Sequence, residues 1–110
     1  MNNTYNITMT RGDTFAFDAG MPSDTLESID SIFLSVKRRP TDRSYVFQKS
    51  LGDGIEIHDS QTYRIRIAPE DTERLSPGKY VYDLEITIGD DVYTVLSGTL
   101  KLVQDITTSY

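Results

Sequence analysis

The sequence predicts an all-β domain, an antiparallel sandwich of short strands, and three observations carry that expectation. Apolar and polar residues alternate with period two in stretch after stretch, the pattern of strands with one buried face. Gly, Pro, Asn and Asp punctuate those stretches at spacings too short for helices. The aromatic residues are seven tyrosines and four phenylalanines with no tryptophan, and such rings pack well on pleated surfaces.

In chain order, Asn6 to Thr10 alternates Ile7 and Met9 with Thr8 and Thr10, a short first strand. Arg11-Gly12-Asp13 is turn chemistry, and Thr14 to Ala19 resumes the alternation with Phe15 and Phe17 inward. Gly20 to Ser28 reads as a loop, with a turn of helix at Asp24–Glu27. Ile32, Leu34 and Val36 form a core stripe, with Phe33 on the opposite face. A basic loop follows, and Tyr45 to Leu51 is the next strand, its inner face ambiguous because Val46 is apolar beside Tyr45 and Phe47.

Gly52-Asp53-Gly54 is a tight turn leading to Ile55 and Ile57, and His58 to Gln61 turns the chain again. Tyr63, Ile65 and Ile67 alternate with Arg64 and Arg66. Pro69 then ends ladder pairing because it has no N–H to donate. Glu70 to Leu75 suits one helical turn, closed by Pro77-Gly78. Tyr80, Tyr82, Leu84, Ile86 and Ile88 share one face of the longest strand. Gly89-Asp90-Asp91 is a hairpin connection, and a last strand runs from about Val92 to Val103. Gly98 inside it signals a bulge or a close backbone approach. About 7–8 strands at this spacing predict an immunoglobulin-like β-sandwich, with a small closed barrel as competitor.

At 110 residues the chain is expected to be a single domain over 1–110, with 1–5 and 106–110 frayed. It has no cysteine, which excludes disulfides and thiolate metal sites. A net charge of −6 and a pI near 4.6 argue against nucleic-acid binding by phosphate neutralisation. The opening residues MNNTYNITMT lack a basic and then apolar leader, so no signal peptide is expected. No apolar run is long enough for a membrane helix.

Candidate sites are few. Arg11-Gly12-Asp13 matches the tripeptide read by integrins, but between two strands it reads as a turn. The single histidine, His58, precedes Asp59; with no nucleophile motif and no further ligands, neither catalysis nor zinc binding is expected. Acidic residues at Asp53, Asp59, Asp83, Glu85, Asp90 and Asp91 lack calcium-loop spacing. The glycosylation sequons at Asn2 and Asn6 carry no weight without a leader. Lys37, Arg38, Arg39 and Arg43 form the one basic cluster, a docking patch for an acidic surface or, as the composition favours, a solvated loop. Phe33 and Tyr93, expected on outer faces, join them as candidate partner contacts.

The corner Pro69, Asp71, Leu75, Gly78 and Tyr80 is read as fold-defining. Tyr80 stands just past the reversal, so its ring is expected to be buried while its hydroxyl reaches a corner carbonyl or the Asp71 carboxylate.

ITMTRGDTFAF, VKRR, GIEIHD, IAPEDTERLSPGKYVYDLEI and GTLKLVQDIT together resemble small proteins of tailed phages and prophages of low-GC Gram-positive bacteria. The same pattern is similar to the N-terminal immunoglobulin-like domain of phage baseplate upper proteins. The likeness runs from Ile7 to Thr107, is most specific at the corner, and carries no catalytic motif. It implies a non-enzymatic structural or accessory protein without cofactor, binding other phage structural proteins or itself. Synthesis in the bacterial cytoplasm and residence in the virion would follow. Baseplate proteins continue from this domain into receptor-linking regions, and a stand-alone accessory, decoration or tail-assembly protein is the expectation for this sequence. A carbohydrate-binding or host-surface recognition module is the alternative.

Overall fold

The computed structural model describes residues 3–20, 29–59 and 62–106. Among the described residues nine strands and one helical turn run in the order β1 (Asn3–Thr4), β2 (Ile7–Thr10), β3 (Phe15–Gly20), β4 (Ser31–Lys37), β5 (Phe47–Leu51), β6 (Gly54–Ile57), β7 (Thr62–Ile67), α1 (Pro69–Thr72), β8 (Gly78–Ile88) and β9 (Asp91–Val103). The domain is all-β. The expected turn at Asp24–Glu27 and the residues beyond Ile106 lie outside the described residues.

The strands join in one path, β1-β9-β8-β4-β5-β6-β7-β3, with β2 also on β9, and the sheet curls into a half-barrel. Its two ends, β3 on one side and β1 with β2 on the other, are not hydrogen-bonded to each other among the described residues. The closed barrel, the competitor to the expected sandwich, is therefore not formed among the described residues, and a seam remains between the ends. The curl hinges at β5–β6, where only Ser50↔Gly54 and Leu51↔Ile55 are paired.

Alternation does place the core. Ile32, Leu34 and Val36 of β4 lie opposite Ile86, Leu84 and Tyr82 of β8, and all six are buried. Tyr63, Ile65 and Ile67 of β7 join the same buried cluster from across the curl. Each fully buried aliphatic side chain contributes roughly 1.5–3 kcal/mol. On β5 the ambiguity resolves toward Phe47, which is buried, while Tyr45 is exposed and precedes the strand.

Two expectations need correction. The pairing is not wholly antiparallel: β1 and β2 run parallel to β9, and β5 runs parallel to β6. Side-chain alternation reports which face is buried and is silent on strand direction. Residues 3–5 are also not frayed. Asn3–Thr4 pairs with Leu96–Ser97, the Tyr5 N–H donates to the Ser97 carbonyl at 2.9 Å, and the Tyr82 hydroxyl donates to the Tyr5 carbonyl at 2.5 Å. Gly98 permits this approach, because a Cβ there would stand 2.3 Å from the Tyr5 carbonyl oxygen. Of the two readings for Gly98, close backbone approach is the one realised.

Candidate functional site

The corner is a knot of polar contacts. Pro69 opens α1, and the Asp71 carboxylate folds back to accept the Ala68 N–H at 2.7 Å. Lys49, buried on β5, reaches the same carboxylate at 3.0 Å. The Leu75 N–H donates to the Thr72 carbonyl and closes the turn. Gly78 has φ +147° with open space around it, a conformation side chains rarely adopt. Tyr80 is buried and its hydroxyl donates to the Ser76 carbonyl at 2.6 Å, so its partner is a corner carbonyl and not Asp71.

Arg11-Gly12-Asp13 docks onto this knot. The Arg11 guanidinium pairs with the buried Asp105 carboxylate at 2.8 Å and donates to the Leu75 carbonyl at 3.4 Å. The Gly12 N–H donates to the Thr72 hydroxyl at 2.9 Å. With its arginine turned into the domain, the tripeptide is a structural turn. Asp105, just before the residues expected to fray, is one of the few buried charges among the described residues.

His58 is exposed, and Asp59 accepts the Thr62 N–H at 2.9 Å in the turn. Among the described residues no group of three His, Cys, Asp or Glu gathers to hold a metal ion. On the sheet surface, Asp18 and Arg64 face each other across β3 and β7 at 2.9 Å. The Arg64 hydrogen bond holds the Asp18 carboxyl below the usual range.

The candidate contacts do not form one patch. Arg38 lies over the Tyr80 ring, 5.6 Å from its centroid. Arg39 pairs with Asp42 at 3.2 Å in the loop, and Arg43 is exposed there. Lys37 alone belongs to the outer sheet face with Phe33, two alternations before it on β4. Tyr93 is a correction. The register shifts between Leu84 and Glu85, so that Tyr93 pairs with buried Ile86 and takes its face, the core side, while remaining 45% exposed at the rim. One inserted residue inverts every following side chain, which is why unbroken alternation assigned Tyr93 outward.

Two concavities stand out. The first is a shallow depression of about 410 Å³ on the outer face of β4, β8 and β9, lined by Ser35, Lys37, Pro40, Val81, Asp83 and Ser97. The second is a cleft of about 300 Å³ at the seam, where Asn3 of β1, Tyr5 just after it and Leu96 of β9 face Phe17 and Asp18 of β3, with Tyr63 beneath. The Tyr5 and Phe17 rings meet there at 5.4 Å, tilted by 58°. Tyr63 is fully buried, and burial pushes its hydroxyl up to about 12.

No family model matches the chain, and no curated protein matches it. Solved structures do share its fold. The endo-β-1,4-mannanase of Thermotoga petrophila superposes with a TM-score of 0.58 at 16% identity, covering 91% of this chain and 18% of that one. A family 123 glycoside hydrolase from Clostridium perfringens gives 0.53 at 15%, covering 94% of this chain and 23% of that one. A voltage-gated sodium channel β subunit studied for multimeric cell-adhesive interactions gives 0.50 at 12%, covering 91% and 92%. The chain thus spans under a quarter of each hydrolase. At these identities the likeness concerns fold alone.

Proposed function

We propose that this chain is a non-enzymatic protein–protein interaction module, a structural or accessory component of a phage virion tail or baseplate. The observation that carries it is the outer face of β4 and β8. Phe33, Ser35 and Lys37 there lie opposite Glu85, Asp83 and Val81: an aromatic ring, a small hydroxyl side chain and both signs of charge on one face, with a shallow depression at Ser35, Lys37, Val81 and Asp83. Such a face suits a flat protein surface better than an enclosed small molecule. The phage setting rests on the sequence resemblance, most specific at Pro69, Asp71, Leu75, Gly78 and Tyr80. The partners are other phage structural proteins or a second copy.

The non-enzymatic reading draws support from where the charges sit. Arg11, Asp105, Lys49 and Asp71 tie the corner together, and His58 stands exposed in a turn. We also read the half-barrel as an immunoglobulin-like sandwich. β9, β8, β4 and β5 with the N-terminal strands make one leaf, and β3, β7 and β6 make the other. The two-pair junction at β5–β6 supports this division, as does the likeness to the sodium channel β subunit.

The test is photo-crosslinking from position 35 or 81 in a bacterium producing the phage. Crosslinks to tail or baseplate proteins, lost in Phe33→Asp with unchanged thermal stability, are expected. Absence of the protein from purified particles would overturn the assignment. Glycan recognition is the second reading, favoured by the Tyr5–Phe17 pair at the cleft rim, and a glycan array decides it.

A further inference from the structure

The seam concerns a different surface from the outer face. β3 has a single hydrogen-bonded neighbour, β7, among the described residues. Its other edge therefore presents the backbone donors and acceptors of alternate residues along a six-residue strand. Proteins ordinarily blunt such an edge with lysine, proline, a bulge or a covering element. β3 carries none of these side chains: its outward positions are Ala16, Asp18 and Gly20, and the Asp18 charge is already paired with Arg64. Its inward residues Phe15, Phe17 and Ala19 are only half-buried, unlike the inward residues of β4 and β7.

A buried polar group lies beneath the cleft beside this edge. Among the described residues, the Tyr63 hydroxyl is the one buried side-chain polar atom with no hydrogen-bond partner, and Tyr63 lines the cleft. Buried hydroxyls are as a rule paired, and an orphan asks for an explanation. Its raised pKa keeps it protonated, so it has a proton to give and needs an acceptor oxygen.

We propose that the seam receives an extended peptide strand of a partner protein, which pairs with the free edge of β3 and lowers an uncharged polar side chain onto the Tyr63 hydroxyl. Backbone pairing of this kind supplies affinity, and the pocket beneath an alternate side chain supplies selectivity. The space of about 300 Å³ holds one such side chain with part of its strand. An amide or hydroxyl oxygen fits better than a carboxylate, because the chain carries a net charge of −6 and Asp18 stands at the rim.

The test pans a display library of linear ten-residue peptides on the full chain, then maps the enriched peptide by amide hydrogen exchange. Those amides of Phe15–Gly20 that point away from β7 are expected to slow at least tenfold on binding. Tyr63→Phe should weaken binding about tenfold while leaving the protein folded and no less stable. Ala19→Leu, which fills the cleft, should abolish binding with the circular dichroism spectrum unchanged. No enriched peptide, protection on β4 and β8 instead, or Tyr63→Phe binding like wild type would each overturn the proposal. So would β3 protection in the protein alone that grows with its concentration, which would make a second copy the occupant. Monosaccharides that bind and perturb Tyr63 where peptides fail would overturn it in favour of a glycan.

Discussion

The Tyr80 hydroxyl donates to the Ser76 carbonyl, four residues upstream, at 2.6 Å. That bond spans the reversal between α1 and β8, so it fixes the angle at which the longest hairpin leaves the corner. Removing the hydroxyl leaves a part-buried carbonyl without its donor, at a cost of about 1–3 kcal/mol. Tyr80→Phe is expected to lower the urea midpoint by that order with an unchanged m-value. Tyr93→Phe, at the exposed rim, should do much less. Tyr82→Phe should resemble Tyr80→Phe, because its hydroxyl holds the Tyr5 carbonyl.

Gly98→Ala tests the crossing of the N-terminal segment. The added methyl would meet backbone, the Tyr5 carbonyl oxygen at 2.3 Å and its carbon at 2.9 Å, and backbone cannot swing aside as a flexible side chain can. Overpacking of this kind costs about 1–3 kcal/mol. Faster amide exchange at Tyr5, whose N–H bonds Ser97, should accompany a lower urea midpoint.

The Lys49–Asp71 pair is shielded, with side-chain exposures of 9% and 16%. Breaking a buried pair on one side strands the other charge, typically at about 3–5 kcal/mol. Lys49→Met and Asp71→Ala should each be strongly destabilising. The double variant should lose clearly less than the sum. Additive losses measured by urea denaturation would mean the two charges act independently.

Alkaline pH should destabilise the fold in a defined window. Burial pushes Tyr63 up to about 12, and burial with the neighbouring Tyr5 raises Tyr82 as well. In the unfolded chain both titrate near pH 10. Their contribution is therefore complete below about pH 10 and is lost as pH rises through the folded values. A urea midpoint that falls between about pH 10 and 12, less steeply in Tyr63→Phe, is the expected result. Spectrophotometric titration should show these two tyrosines ionising late.

Much of the fold was legible because alternation is a local code. The stripes Ile32-Leu34-Val36 and Tyr80-Tyr82-Leu84-Ile86 specify buried faces without any knowledge of neighbours. Strand direction was not legible, since Ile7 and Met9 look the same beside Leu100 and Leu102 whether the pair is parallel or antiparallel. The face of Tyr93 was lost for a related reason: the bulge beside Leu84 leaves no mark in composition. Asp105 and Lys49 were missed because a buried charge is defined by a partner distant in sequence. The seam cleft needed three dimensions altogether, as Tyr5, Phe17, Tyr63 and Leu96 come from four separate segments.

The parallel pairing of residues 3–10 with residues 96–103 also sets a clock on biogenesis. Among the described residues β1 and β2 have β9 as their one ladder partner, so they have nothing to join until residues 96–103 have been made. Closing so long a loop early would cost conformational entropy before any contact rewarded it. On the ribosome residues 3–10 therefore wait, undocked, while the β4–β5 and β6–β7 units assemble from local contacts. Docking becomes the final, order-setting event of folding, and the Arg11–Asp105 pair can form only then. A nascent chain stalled before Gly98 would carry a free N-terminal strand and an uncovered β9 position, a state that chaperones and proteases would meet before the finished domain.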